Sequence, residues 1–256
     1  MFMFKFLFSF LFLISTNISA DFLKDLESVK TSLTTMEIYV SSAAQQMQIY
    51  TDANSDYAGL LADLNGANPE DIRNISSSKS SGSIYASSAP QEQANNTEAF
   101  ADYLELIAKE LDPNNEAISE ASSNLSSSEI YASSALQQSA IRTLAGYRFL
   151  KVIVEASGGD QEVINSIESA RTSAEIYSTS AYHQNANYSE STTKLLAEYA
   201  KVLGVDNEKT SSIITSMNSR EIYVDSALQQ VALYEDTSSQ LLYIIIQTLV
   251  NANTIQ

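Results

Sequence analysis

The stretch "EIYASSALQQ", Glu129 to Gln138, decides the fold, because the chain writes it five times. The other copies are "EIYVSSAAQQ" from Glu37, "SIYASSAPQE" from Ser83, "EIYSTSAYHQ" from Glu175 and "EIYVDSALQQ" from Glu221. Their tyrosines, Tyr39, Tyr85, Tyr131, Tyr177 and Tyr223, are spaced by 46 residues at every step, with no insertion anywhere. Pro, Gly and Asn clusters keep the same step: "NGANPED" around Gly66, "DPNNE" around Pro113, "SGGDQE" around Gly158 and "GVDNE" around Gly204. Such clusters mark turns, and the Asp, Asn or Glu that follows favours a helix start. The sequence therefore reads as one all-α repeat domain, 21–256, with units of approximately 21–65, 66–111, 112–157, 158–203 and 204–250.

Between the turns, apolar or small residues recur at steps of three and four. In the third unit they are Ile118, Ala121, Leu125, Ser128, Ala132, Ala135, Ser139, Arg142, Gly146, Phe149 and Ile153; in the first, the series runs from Leu26 through Met36, Val40 and Ala43 to Tyr57 and Leu61. A heptad held without a slip predicts one long helix per unit, packed in a coiled-coil-like seam. The rival is a helical hairpin per unit, bent near "QEQANNTE" or "HQNANYSE" and stacked as a solenoid, with Pro90 adding a kink. Those polar stretches occur only in the second and fourth units, so odd units resemble one another more than even ones. An up-down bundle or helical sheet of five long antiparallel helices gives that alternation a cause and is the preferred expectation.

On such a helix the motif alanines, Ala43, Ala89, Ala135, Ala181 and Ala227, fall on the seam and let helix axes approach closely. The serine before each alanine bonds back to the preceding turn in this reading. Ile38, Ile84, Ile130, Ile176 and Ile222 fall on the far side, with the tyrosines beside them. Either these Ile–Tyr pairs complete an internal core, or they form a regularly spaced ladder for self-association. The glutamates before the isoleucines read as a solvated face.

The first twenty residues, with Lys5 ahead of an apolar run from Phe6 to Ile14, have the pattern of a secretory signal cleaved after Ala20, which predicts a secreted, extracellular protein. No cysteine is present, so thiol chemistry and disulfide staples are excluded and stability must come from packing. A net charge of -17 opposes a phosphate backbone as partner, so no nucleic acid is expected. The most apolar later stretch, "LLYIIIQTLV" at 241–250, is too short to span a bilayer and reads as the packed end of the fifth helix.

Chemistry is sparse. His183 takes the slot of Gln45, Gln91, Gln137 and Gln229, which makes it a drifted glutamine rather than a catalytic base. "DANSDYAGLLAD" from Asp52 has ligand types at several calcium-loop places but Tyr57 where the loop requires glycine. No catalytic, cofactor or metal residues are therefore assigned, and an enzyme is not expected. Asn74, Asn95, Asn124 and Asn187 begin Asn-x-Ser/Thr sequons, which a eukaryotic secretory route would glycosylate. The expected function is a secreted structural protein that self-assembles into a filament, coat, secretion or matrix. The alternatives are a carrier of an apolar ligand, opposed by the polar seam residues Gln93, Asn96, Arg142 and Asn185, and a module that presents the Ile–Tyr face to another extracellular protein.

Overall fold

The computed structural model describes residues 19–254; the expected leader lies outside them but for its last two residues. The described residues form ten α-helices and no strand. In chain order these are α1 (Ala20–Glu37), α2 (Ala43–Leu64), α3 (Pro69–Tyr85), α4 (Ala89–Leu111) and α5 (Glu116–Glu129), followed by α6 (Ala135–Ala156), α7 (Gln161–Tyr177), α8 (Ala181–Val202), α9 (Asn207–Glu221) and α10 (Ala227–Thr254).

Each 46-residue unit is thus a hairpin of two helices, which corrects the expectation of one uninterrupted rod. The break falls at the motif itself, ahead of the glutamines rather than after them. Its cause is a helix-start signal inside the motif. Ser42, Ser134, Ser180 and Ser226 are N-caps of α2, α6, α8 and α10, and each side chain accepts from the backbone N–H three residues on. Gln45 and Gln137 reach back to accept from the backbone N–H of Ser41 and Ser133, the latter at 2.8 Å. These reciprocal bonds are a variant of the capping box and satisfy donors that a new helix start leaves open. Pro90 lies in the first turn of α4, where a missing N–H costs nothing, so it helps to start that helix and kinks none.

The remaining turns follow the sequence signals. Gly66, Gly158 and Gly204 take positive φ just past the ends of α2, α6 and α8, closing those helices as left-handed caps. Asn68, Asn115, Asp160 and Asp206 then cap α3, α5, α7 and α9.

Packing joins the five hairpins into a closed ring. The second helices contact one another in the cyclic order α2, α4, α6, α8, α10 and back to α2, while each first helix lies outside against its own partner. Inter-helix bonds fix the register: Asn185 Nδ2 donates to Ser139 Oγ across 46 positions at 3.4 Å, and Ser189 Oγ donates to Glu235 Oε1 across 46 at 2.6 Å. Equivalent residues therefore sit at equal heights, and the inner helices are parallel. This replaces the antiparallel up-down bundle; odd and even helices point the same way.

The odd–even alternation arises on the axis instead. At one level the inward residues are Met47, Gln93, Ser139, Asn185 and Val231, all buried, and the even units supply both amides. Five is odd, so one junction must pair two odd units. There Met47 and Val231 join Leu233 and Tyr234 in a small apolar cluster separate from the main core. Beyond it the ring is fastened by Asn54, whose Nδ2 donates to Glu235 Oε2 at 2.7 Å while its Oδ1 accepts from Ser239 Oγ at the same distance.

Along the axis the half next to the motif is polar and the far half apolar. Thr51, Thr97, Thr143, Ser189 and Glu235 form one buried level, whereas Leu61, Ile107, Ile153, Tyr199 and Ile245 form another near the Gly turns. Leu241, Leu242, Ile245 and Ile246 of the apolar tail are fully buried in the main core. Most heptad positions in the second half of each unit are buried as expected, for example Met47, Tyr50, Asn54, Tyr57 and Leu61.

Candidate interaction surface

Because the inner helices are parallel and in register, all five motif breaks lie at one end of the ring. Each break is a knuckle in which the chain leaves an outer helix and enters an inner one. Ile38, Ile84, Ile130, Ile176 and Ile222 are 75–81% exposed there, and Tyr39, Tyr85, Tyr131, Tyr177 and Tyr223 are 80–85% exposed. Apart from the half-exposed Leu23, these ten are the large apolar side chains that the described residues leave in solvent. The core alternative for the Ile–Tyr pairs is therefore corrected: the capped helix start turns both side chains outward. The motif alanines are half-buried, and at the first helical position they flank the knuckle rather than line a close-contact seam. Together the five knuckles form a crown around the ring axis.

In four of the five units the motif glutamate ties the knuckle to the inner helix. Thirteen residues on, across the break, the inner helix offers it a donor: Arg142 Nε to Glu129 at 2.7 Å, Tyr188 Oη to Glu175 at 2.7 Å, and Tyr234 Oη to Glu221. Tyr50 stands in the same relation to Glu37. Burial, then the neighbouring carboxylate, pushes the Tyr188 and Tyr234 hydroxyls above the usual tyrosine range, so both remain protonated donors. The solvated-face reading is corrected for Glu129, Glu175 and Glu221, which are half-buried clamps between outer and inner helix, while Glu37 stays exposed. The second unit has Ser83 in place of the glutamate, and its partner position, Asn96, keeps a buried Oδ1 without a hydrogen bond.

The charge at the crown is confined to the motif glutamates, of which Glu129 and Glu175 are ion-paired with Arg142 and Arg171 and Glu37 is exposed, and to Asp225. In the five segments 38–42, 84–88, 130–134, 176–180 and 222–226, Asp225 is the one ionisable carboxylate, and no Lys or Arg occurs. The opposite end carries Glu70, Asp71, Glu116, Asp160, Glu162 and Glu208 in the first turns of the outer helices, where the helix dipole favours acidic groups. The molecule is thus polarised between an apolar crown and an acidic base.

The other sequence candidates are placed as follows. His183 is exposed beside its knuckle, with Nδ1 2.8 Å from Ser180 Oγ, as the capping member of the fourth unit. The stretch from Asp52 is helical, and Asp52 and Asp56 both pair with Lys79, at 2.8 and 2.6 Å. No group of three His, Cys, Asp or Glu able to hold a metal ion is found among the described residues. The sequon asparagines Asn74 and Asn124 are exposed on outer helices, and Asn95 is half-buried. Asn187 is buried, its amide donating to the Arg171 carbonyl at 2.9 Å, so a glycan there is incompatible with this packing. No helix of the described residues is long and apolar enough to cross a membrane.

Comparison of the chain with protein-family models, with curated proteins and with solved structures finds no match.

Proposed function

We propose that the protein is a secreted, non-catalytic structural module that assembles through its crown. The observation that carries this reading is the confinement of the exposed Ile and Tyr to one end of the ring, on five knuckles. Monomeric soluble proteins rarely gather large apolar side chains into one exposed region without a partner for it. Clamps and caps hold four of the five knuckles in place before contact, which lowers the ordering entropy that opposes association.

Carriage of an apolar ligand draws no support from the interior. The enclosed space on the axis has a volume of about 10 Å³, lined by Thr51, Asn54, Thr97, Thr143 and Glu235 among others. That is room for about one water molecule and far too little for an apolar ligand.

The reading is tested by replacing the five tyrosines together with serine and following the protein by small-angle scattering, alongside circular dichroism. Loss of association with an unchanged helical spectrum supports it. An unchanged scattering profile in the variant contradicts it.

A further inference from the structure

We infer that the occupant of the crown is the crown of a second copy, and that assembly stops at this closed pair. The inference rests on the reading of the crown as the functional surface and adds its partner and its limit.

Area is sufficient. Ten side chains of Ile and Tyr size, about four-fifths exposed, offer on the order of 1,000 Å² of surface, and a standard interface takes about 800 Å² from each partner. Charge selects the end. Two chains of net charge -17 repel at any acidic face, and their bases carry carboxylates in every outer-helix first turn. Crown against crown brings together segments whose one charge is Asp225, backed by motif glutamates of which Glu129 and Glu175 are neutralised by Arg142 and Arg171, and keeps the acidic bases at the far poles. An anionic lipid surface is disfavoured by the same map, since no Lys or Arg stands in the crown segments to meet its headgroups.

Shape agrees with charge. The knuckles occur once per inner helix around a closed ring, so the gaps between them repeat too, and a staggered arrangement sets the five knuckles of one copy against the five gaps of the other. Such a contact is isologous: the same patch is used on both sides and is consumed by one partner. Among the described residues the base end exposes one large apolar side chain, the half-exposed Leu23, and no patch to match the crown, so a filament finds no second apolar face there to grow from. This favours a discrete pair over the filament among the expected assemblies.

The experiment is sedimentation velocity on the mature chain, residues 21–256, from 0.1 to about 100 μM at low and high salt, with Tyr131→Asp/Tyr177→Asp as the variant. A monomer–dimer equilibrium without larger species is expected, strengthened or unchanged as salt screens the acidic bodies. The variant, with helical content and melting temperature retained, should dissociate at least about 100-fold more readily. A ladder of larger species overturns the closed geometry. A monomer at every concentration overturns the self-pairing. In that case binding to phosphatidylcholine vesicles that is lost in the variant would keep the crown as a docking surface. Absence of both pairing and vesicle binding, with variant and parent alike, would remove the proposed function as well.

Discussion

Truncating Asn54 to alanine should open the ring at one place. Asn54 is 2% exposed and fastens α2 to α10, the junction between the first and last units. It donates to Glu235 Oε2 at 2.7 Å and to the Glu235 carbonyl at 3.1 Å, and it accepts from Ser239 Oγ at 2.7 Å. Glu235 is 8% exposed and would keep only the Ser189 hydroxyl on its carboxyl group. Each buried group left unsatisfied costs about 1–3 kcal/mol, so Asn54→Ala should destabilise the fold by about 3 kcal/mol in denaturant unfolding. Asn185→Ala is the control. Asn185 is equally buried on an inner helix, but its amide makes one long bond of 3.4 Å and its Oδ1 has no partner, so the loss should stay below about 1 kcal/mol. Hydrogen exchange should also quicken in α2 and α10 of the Asn54 variant and leave α4 and α6 unchanged. Equal destabilisation by the two variants, or uniform acceleration of exchange around the ring, would refute the polar fastening of this junction.

Three further outcomes follow from the site. Ser134→Ala removes a side-chain cap and should cost about 1 kcal/mol, whereas Ser88→Ala should be nearly neutral because Ser88 makes no such bond; thermal unfolding of both variants checks the pair. Tyr234→Phe removes the donor to Glu221 and should cost about 1 kcal/mol with the crown still exposed, measured by denaturation and by iodination of Tyr223. Burial, then Glu98 and Glu105, pushes the Asp102 carboxyl up to about 7. Because the folded-state value lies above the ordinary one, the folded protein holds a proton there that the unfolded chain has released, and stability falls as pH rises from about 4 to 7. Asp102→Asn should therefore match the parent at pH 4 and exceed it by about 2–4 kcal/mol at pH 8, read from paired denaturation curves.

The repeat, the turns and the helical class are legible in the sequence because they rest on local chemistry. A glycine past a helix end or an asparagine before a helix start acts within a few residues, and Gly66, Asn68, Gly158 and Asp160 do so as read. The break at the motif was harder to see, because the three-and-four spacing keeps its phase across it. Leu33, Met36, Val40 and Ala43 continue the series although the helix stops at Glu37. The signal that could have found it is Ser-x-x-Gln, present from Ser42, Ser88, Ser134 and Ser226, with histidine in the last place after Ser180. With those serines read as mid-helix residues, the isoleucines fall on the helix face opposite the alanines, whereas the capped break turns them to the end of the ring. Ring closure is illegible for a different reason: it depends on Asn54 meeting Glu235 across 181 residues, a contact that no local pattern encodes. The burial of Asn187 likewise follows from the outer helix packed over it.

Distances between the knuckles test the closed ring most directly. The chain has no cysteine, so pairs of cysteines can be placed at the exposed motif tyrosines, spin-labelled and measured by pulsed electron resonance. A closed five-fold ring predicts that the Tyr39–Tyr223 pair gives the same distance as Tyr39–Tyr85, with Tyr39–Tyr131 about 1.6 times longer. An open stack of hairpins would instead make Tyr39–Tyr223 the longest distance of all, and that result would contradict the ring and the crown it carries.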